Sequence, residues 1–179
     1  MHNDVEEILF SKEDISRKVK ELGEKISKDY NRDDEVVVVG VLKGANVFMA
    51  DLIREIDIPV YIDFMAVSSY GYSTESSGIV RILKDLDLEI EGKHVLIIED
   101  IIDTGLTLKY LTDNLKSRNI KSLKICTLLD KPKRRKCDLN IDYIGFEIPD
   151  KFIVGYGIDY GEKYRNLPYV ASLKEETYK

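Results

Sequence analysis

The segment Val95-Leu-Ile-Ile-Glu-Asp-Ile-Ile-Asp-Thr-Gly-Leu-Thr-Leu108 constrains the fold more than any other part of the chain. Residues 94–98 form a β-branched, apolar run without the polar alternation of a half-exposed strand, so they read as a strand buried on both faces. Strands of that kind belong to parallel sheets with helices above and below. Val36–Leu42 is a second such run, broken at Lys43-Gly44. Ile15, Val19, Leu22 and Ile26, spaced by four, three and four, predict an amphipathic helix that Ser11 and Asp14 open as a capping box. Further helices are expected around Phe48, Leu52 and Ile56 and around Leu108, Leu111 and Leu115. Strands are expected over 60–67, 122–129, 143–148 and 153–156, with 79–84 returning as the second arm of a long hairpin. Alternating strand and helix predicts an α/β fold, a mainly parallel twisted sheet flanked by helices. The whole chain, 1–179, is expected to be one domain. Its core would span about 30–135, with a small hood made by the N-terminal and C-terminal segments.

The chemistry sits at the end of the first run. Glu99 and Asp100 are expected to emerge where open α/β sheets bind their ligands, in the crevice beyond the strand ends. Adjacent residues on extended backbone point to opposite sides, so the two carboxylates would serve different partners. Asp103-Thr-Gly-Leu-Thr107 then supplies a third acid, backbone N–H groups, two hydroxyls and a permissive glycine ahead of a helix, which makes an anion cradle. Two acids alone could be a solvated turn or the acidic pocket of a receiver-like fold. The uninterrupted order of strand, acid pair, third acid and loop is far more specific, and it suits a metal, a sugar and a phosphate.

Composition excludes several classes. A net charge of −6 opposes a general affinity for nucleic acid, and the basic run Lys131-Pro-Lys-Arg-Arg-Lys136 reads as a solvated loop. Lys133, Arg134, Arg135 and Lys136 receive no role. The acidic start Met-His-Asn-Asp-Val-Glu-Glu does not resemble a signal peptide, and no apolar run has the length of a membrane span, so a cytoplasmic location and no membrane partner are expected. Cys126 and Cys137 lack metal-ligand spacing and are expected to be unpaired.

Four apolar residues, two acids, two apolar residues and Asp-Thr-Gly-x-Thr resemble the phosphoribosyl-pyrophosphate motif of the type I phosphoribosyltransferases. Leu42-Lys43-Gly44, Ser69-Tyr70, Lys131 and the stretch from Pro149 to Asp159 resemble the hypoxanthine-guanine branch of that family, over about 8–173 of the chain. The resemblance implies transfer of a 5-phosphoribosyl group to N9 of hypoxanthine or guanine, giving IMP or GMP and pyrophosphate, with Mg2+ as cofactor. By the same resemblance Lys43 and Gly44 form a pyrophosphate loop with a cis Leu42–Lys43 peptide, and Ser69 and Tyr70 lie on a mobile lid. Glu99 and Asp100 would hold the ribose hydroxyls and, with Asp159, the metal. Asp103 would accept the purine proton, and Thr104, Gly105, Leu106 and Thr107 would bind the 5′-phosphate. Lys131 would face the 6-oxo group, Phe152 would stack on the base, the Ile153 main chain would meet the base edge, and Arg165 would grip pyrophosphate. Ala45 and Ile153 are mild departures from the family's usual residues. A homodimer or homotetramer is implied. Two rivals are a same-fold regulator that senses nucleotides and binds nucleic acid, and a same-fold enzyme acting on adenine, orotate or uracil. The absence of an added helix-turn-helix segment opposes the first, and Lys131 opposes the second.

Overall fold

A computed structural model describes residues 3–69 and 80–178. In chain order its elements are β1 (Val5–Phe10), α1 (Lys12–Asp29), β2 (Val36–Leu42), α2 (Asn46–Leu52), β3 (Tyr61–Ser69), β4 (Val80–Lys84), β5 (His94–Ile102), α3 (Leu106–Lys116), β6 (Ser122–Asp130), β7 (Tyr143–Glu147), β8 (Ile153–Val154), β9 (Val170–Leu173) and α4 (Glu175–Tyr178). Ser11 opens α1 as expected: its Oγ accepts from the Asp14 N–H at 3.1 Å, and Asp14 Oδ2 accepts from the Ser11 N–H at 3.1 Å. Ile15, Val19, Leu22 and Ile26 form its buried stripe. The second helix is shorter than its sequence stripe. It stops at Leu52, a single 3-10 turn over Ile53–Glu55 follows, and Ile56 is extended, because the chain must turn toward Pro59 and β3.

Six strands pair in the order β4-β3-β2-β5-β6-β7, all parallel except β4, which returns antiparallel on β3. Both faces of this sheet are covered, which is why its central strands carry no polar alternation. Val36, Val38, Leu96 and Ile98 pack with α1 and α2, while Val37, Val39, Val95 and Ile97 pack with α3. The five parallel strands run in the spatial order second, first, third, fourth, fifth, so the winding reverses between β2 and β5. In such sheets the carboxyl ends of the two strands at the reversal open into a crevice that binds ligands.

β5 is longer than expected. Its pairing with β6 continues past the acids to Ile102 opposite Asp130, so Glu99 and Asp100 lie within the strand and not beyond it. The side-chain alternation slips by one across them: Ile98 and Ile101 both pack on the α1/α2 side and Ile102 on the α3 side. A second sheet, β1-β9-β8, is antiparallel and joins the two ends of the chain. Between β8 and β9 the backbone winds through two isolated bridges, Gly155 to Ile158 and Tyr160 to Lys163. Cys126 and Cys137 are both free thiols. No helix among the described residues is long and apolar enough to cross a membrane.

Candidate active site

At the reversal point the loop after β2 is packed between the Asp100 side chain and the Gly157 backbone. The Leu42–Lys43 peptide is cis. A Cβ placed on Gly44 would stand 1.8 Å from Asp100 Oδ2, and one on Gly157 would stand 2.2 Å from the Gly44 carbonyl oxygen. Asp100 is therefore pressed between the loop after β2 and its own strand, where its Oδ1 accepts from the Ile101 N–H at 2.8 Å. Glu99 is buried beside it. Loss of water, then repulsion from Asp100, pushes the Glu99 carboxyl well above the usual carboxylate range. Burial likewise pushes Asp100 up to about 6; backbone N–H donors and Arg165 oppose the rise, and Asp159 adds to it. Carboxyls disfavoured as anions by burial would gain from a cation placed beside them.

Lys43 Nζ donates to Glu162 Oε2 at 3.0 Å, and Arg165 lies 2.9 Å from Asp159 and 3.4 Å from Glu162. Arg165 also donates to the Gly157 carbonyl at 2.8 Å, which fixes the guanidinium to the segment that covers Gly44. The two cations expected at one anion thus converge on the same carboxylate. Nothing in the composition singled out Glu162.

The loop after β5 turns on Gly105, whose φ of 81° is left-handed, and leads straight into α3. A helix start leaves its first N–H groups unpaired within the helix and favours negative charge. A small cavity of about 150 Å3 is lined by Asp103, Thr104, Gly105, Thr107 and the neighbouring isoleucines and leucine. Leu106 occupies the first helical position. The loop is braced from behind, with the Lys136 N–H donating to the Thr104 carbonyl at 2.9 Å.

Beside it lies a cleft of about 470 Å3 that gathers Ile101, Asp103, Lys131, Phe152, Ile153 and Asp159. Lys131 is the buried cation: its Nζ donates to the Lys151 carbonyl at 2.7 Å and reaches Asp150 at 3.4 Å. Phe152, by contrast, is 37% exposed. The solvated reading of the basic run holds for Lys133, Arg134 and Lys136, which stay exposed, but Arg134 and Arg135 also engage acids. Arg134 Nε lies 2.6 Å from Asp103 Oδ1 while its NH1 binds Asp150 at 3.0 Å, and Arg135 pairs with the buried Asp130. The cause is tertiary. The Pro132–Arg134 turn folds this loop back on the Asp103 loop, so charges that look solvated in one dimension meet acids in three. Asp103 Oδ1 is thus covered by the Arg134 guanidinium, while Asp103 itself lines the cleft. Asp150 and Tyr178, which also line the cleft, were not foreseen. Asp150 follows Pro149 in the stretch already singled out, but Tyr178 carries no local signal at all.

Ser69 closes β3, its backbone opposite Val80. Its side chain and Tyr70 lie outside the described residues, as does the rest of the expected lid. Among the described residues no group of three or more His, Cys, Asp or Glu is arranged to hold a metal. The expected set of Glu99, Asp100 and Asp159 is therefore not gathered as a three-acid cluster in this structure.

These positions define an α/β enzyme that holds a phosphorylated sugar next to a planar ring. The chain belongs to the phosphoribosyltransferase family, matching the phosphoribosyl transferase domain over residues 6–161. It is 57% identical over 178 residues to a hypoxanthine-guanine phosphoribosyltransferase of Bacillus subtilis, covering 99% of this chain and 98% of that protein. Its fold is similar to a crystal structure of a Staphylococcus aureus hypoxanthine phosphoribosyltransferase, with a TM-score of 0.96, 56% identity, and 100% of this chain and 97% of that one covered. A Trypanosoma cruzi hypoxanthine phosphoribosyl transferase superposes with a TM-score of 0.94 at 42% identity, covering 99% and 96%.

Proposed function

We propose that this phosphoribosyltransferase moves the 5-phosphoribosyl group of phosphoribosyl pyrophosphate to N9 of hypoxanthine or guanine, releasing pyrophosphate and IMP or GMP. The observation that carries the acceptor's identity is the cleft in which Lys131, Phe152 and Asp103 stand together beside the phosphate-sized cavity. A cation aimed at a carbonyl oxygen favours 6-oxopurines over adenine, which presents an amino donor there. The exposed Phe152 ring offers a face for the base, and the Ile153 main chain its edge.

The residues divide the work by charge. Thr104, Gly105, Leu106 and Thr107 hold the 5′-phosphate at the helix start. Glu99 and Asp100 orient the ribose, so that the anomeric carbon lies between the leaving group and the base. Lys43 and Arg165, released from Glu162, stabilise the departing pyrophosphate, with Gly44 letting that backbone approach closely. Asp103, which lines the cleft, takes the purine proton. Ser69 and Tyr70 would close over the reacting sugar and exclude water. Mg2+, held by Asp100 and Asp159 with Glu99 close by, would neutralise pyrophosphate charge when bound. A cytoplasmic homodimer or homotetramer completes the proposal, on the likeness to the family.

The test is an assay with phosphoribosyl pyrophosphate and Mg2+ against hypoxanthine, guanine, xanthine and adenine separately. Turnover with hypoxanthine or guanine and none with adenine is expected. No turnover with any 6-oxopurine would overturn the reading. Nothing favours a nucleic-acid regulator, and Arg134 and Arg135 are already paired with acids.

A further inference from the structure

Phe152 is a surface aromatic just before the two-residue strand β8, a short anchor for a rigid ring. Two tyrosines supply what the strand does not. Tyr178, on α4 at the end of the chain, stacks on Phe152 with ring centroids 4.7 Å apart and planes 23° from parallel. Tyr160 meets it edge-on, at 5.3 Å and 85°. Both tyrosines pack against the small apolar cluster of Val154, Leu167 and Leu173, on the side of the three-stranded sheet. Ile101, on β5, lines the same cleft. With Tyr178 stacked on it Phe152 is still 37% exposed, and both rings line the cleft.

We propose that Tyr178 is a positioning residue for the acceptor base: it backs Phe152 so that the free face of that ring is held parallel to the plane of an incoming purine. This rests on the reading of the cleft as a 6-oxopurine site. Stacking is sensitive to ring orientation, and aromatic pairs favour offset parallel or edge-on arrangements, so the Tyr178 and Tyr160 contacts together leave Phe152 little freedom to tilt. α4 then becomes part of the base site. α4 is tied down just before it begins, where the Lys174 N–H donates to the Asp4 carbonyl at 2.9 Å, so the last residues are placed by β1 and β9 and not by the catalytic sheet.

The test compares wild type, Tyr178→Ala, Tyr178→Phe and a chain ending at Lys174 in steady-state kinetics, varying base and phosphoribosyl pyrophosphate in turn. Tyr178→Ala and the shortened chain should raise KM for the base by about threefold to tenfold, the range expected for losing one aromatic pair. Both should leave kcat and KM for phosphoribosyl pyrophosphate within about twofold, and Tyr178→Phe should match wild type, since the ring and not the hydroxyl makes the stack. An unchanged base KM overturns the proposal, as does an equal rise in both KM values, which would mark a general structural role. A fall in base KM also overturns it, because Tyr178 would then be competing for the face it is said to support. Wild-type turnover is scored first: its absence overturns the 6-oxopurine reading and this one together, whereas an active wild type with insensitive variants overturns this one alone.

Discussion

Gly44→Ala isolates the packing at the reversal point. Gly44 does not have a left-handed φ, so alanine can adopt its backbone and the effect is steric. The added methyl would lie 1.8 Å from Asp100 Oδ2 and 2.6 Å from its Cγ. Restoring a separation of 3.0 Å requires Asp100 to move by about 1.2 Å, because Gly157 blocks retreat of the Gly44 backbone. That shift breaks the hydrogen bond from the Ile101 N–H and overfills a packed site, which costs about 1–3 kcal/mol. For a chain of this size each kcal/mol lowers Tm by about 2–4 °C. A misplacement of about 1 Å in a positioning group reduces turnover by about 100-fold. The assay is initial rate against phosphoribosyl pyrophosphate, with thermal unfolding of the same samples. Adding Asp100→Ala to Gly44→Ala removes the clash and should restore most of the lost Tm without restoring activity, since contacting pairs are not additive. A Gly44→Ala protein that melts and turns over like wild type would refute the steric reasoning.

Asp103→Asn keeps the shape of the side chain but cannot take a proton; kcat should fall by about 100-fold to 10,000-fold with KM for phosphoribosyl pyrophosphate little changed, and an unaltered kcat would remove Asp103 from that role. Lys131→Ala should raise KM for hypoxanthine by about 10-fold to 150-fold, the worth of a charge-assisted hydrogen bond, and leave phosphoribosyl pyrophosphate binding alone. Asp100 gives a pH signature. Its carboxyl titrates near 6 when folded against 3.8 in the unfolded chain, so the folded state keeps its proton longer and the group costs stability as pH rises from about 4 to about 6, with no further change above. Asp100→Asn does not titrate, so its Tm should gain on wild type across that window in the absence of ligands; a constant difference from pH 4 to pH 7 would show that burial does not raise this carboxyl.

Much of this protein is decided by local order in the chain. The unbroken apolar runs at β2 and β5 determine a sheet covered on both sides, because strands with no polar face have nowhere else to go. The spacing of Ile15, Val19, Leu22 and Ile26 determines α1, and Ser11 with Asp14 determines where it starts. Glu99, Asp100 and the loop from Asp103 to Thr107 are legible together, since strand end, acids and helix start are consecutive. Tertiary structure decides what needs partners distant in sequence. Pairing with β6 carries β5 beyond its acids, which buries Glu99 and raises both carboxyls. The fold of the 131–137 loop brings Arg134 and Arg135 against Asp103 and Asp130. Lys43 meets Glu162 across 119 residues of chain, and Tyr178 reaches Phe152 only because β9 returns the C-terminus to β8. Periodicity and motif spacing report what a residue does within its own element. The charge and packing of the site depend on which elements the topology brings against it, and that is set by the folded chain as a whole.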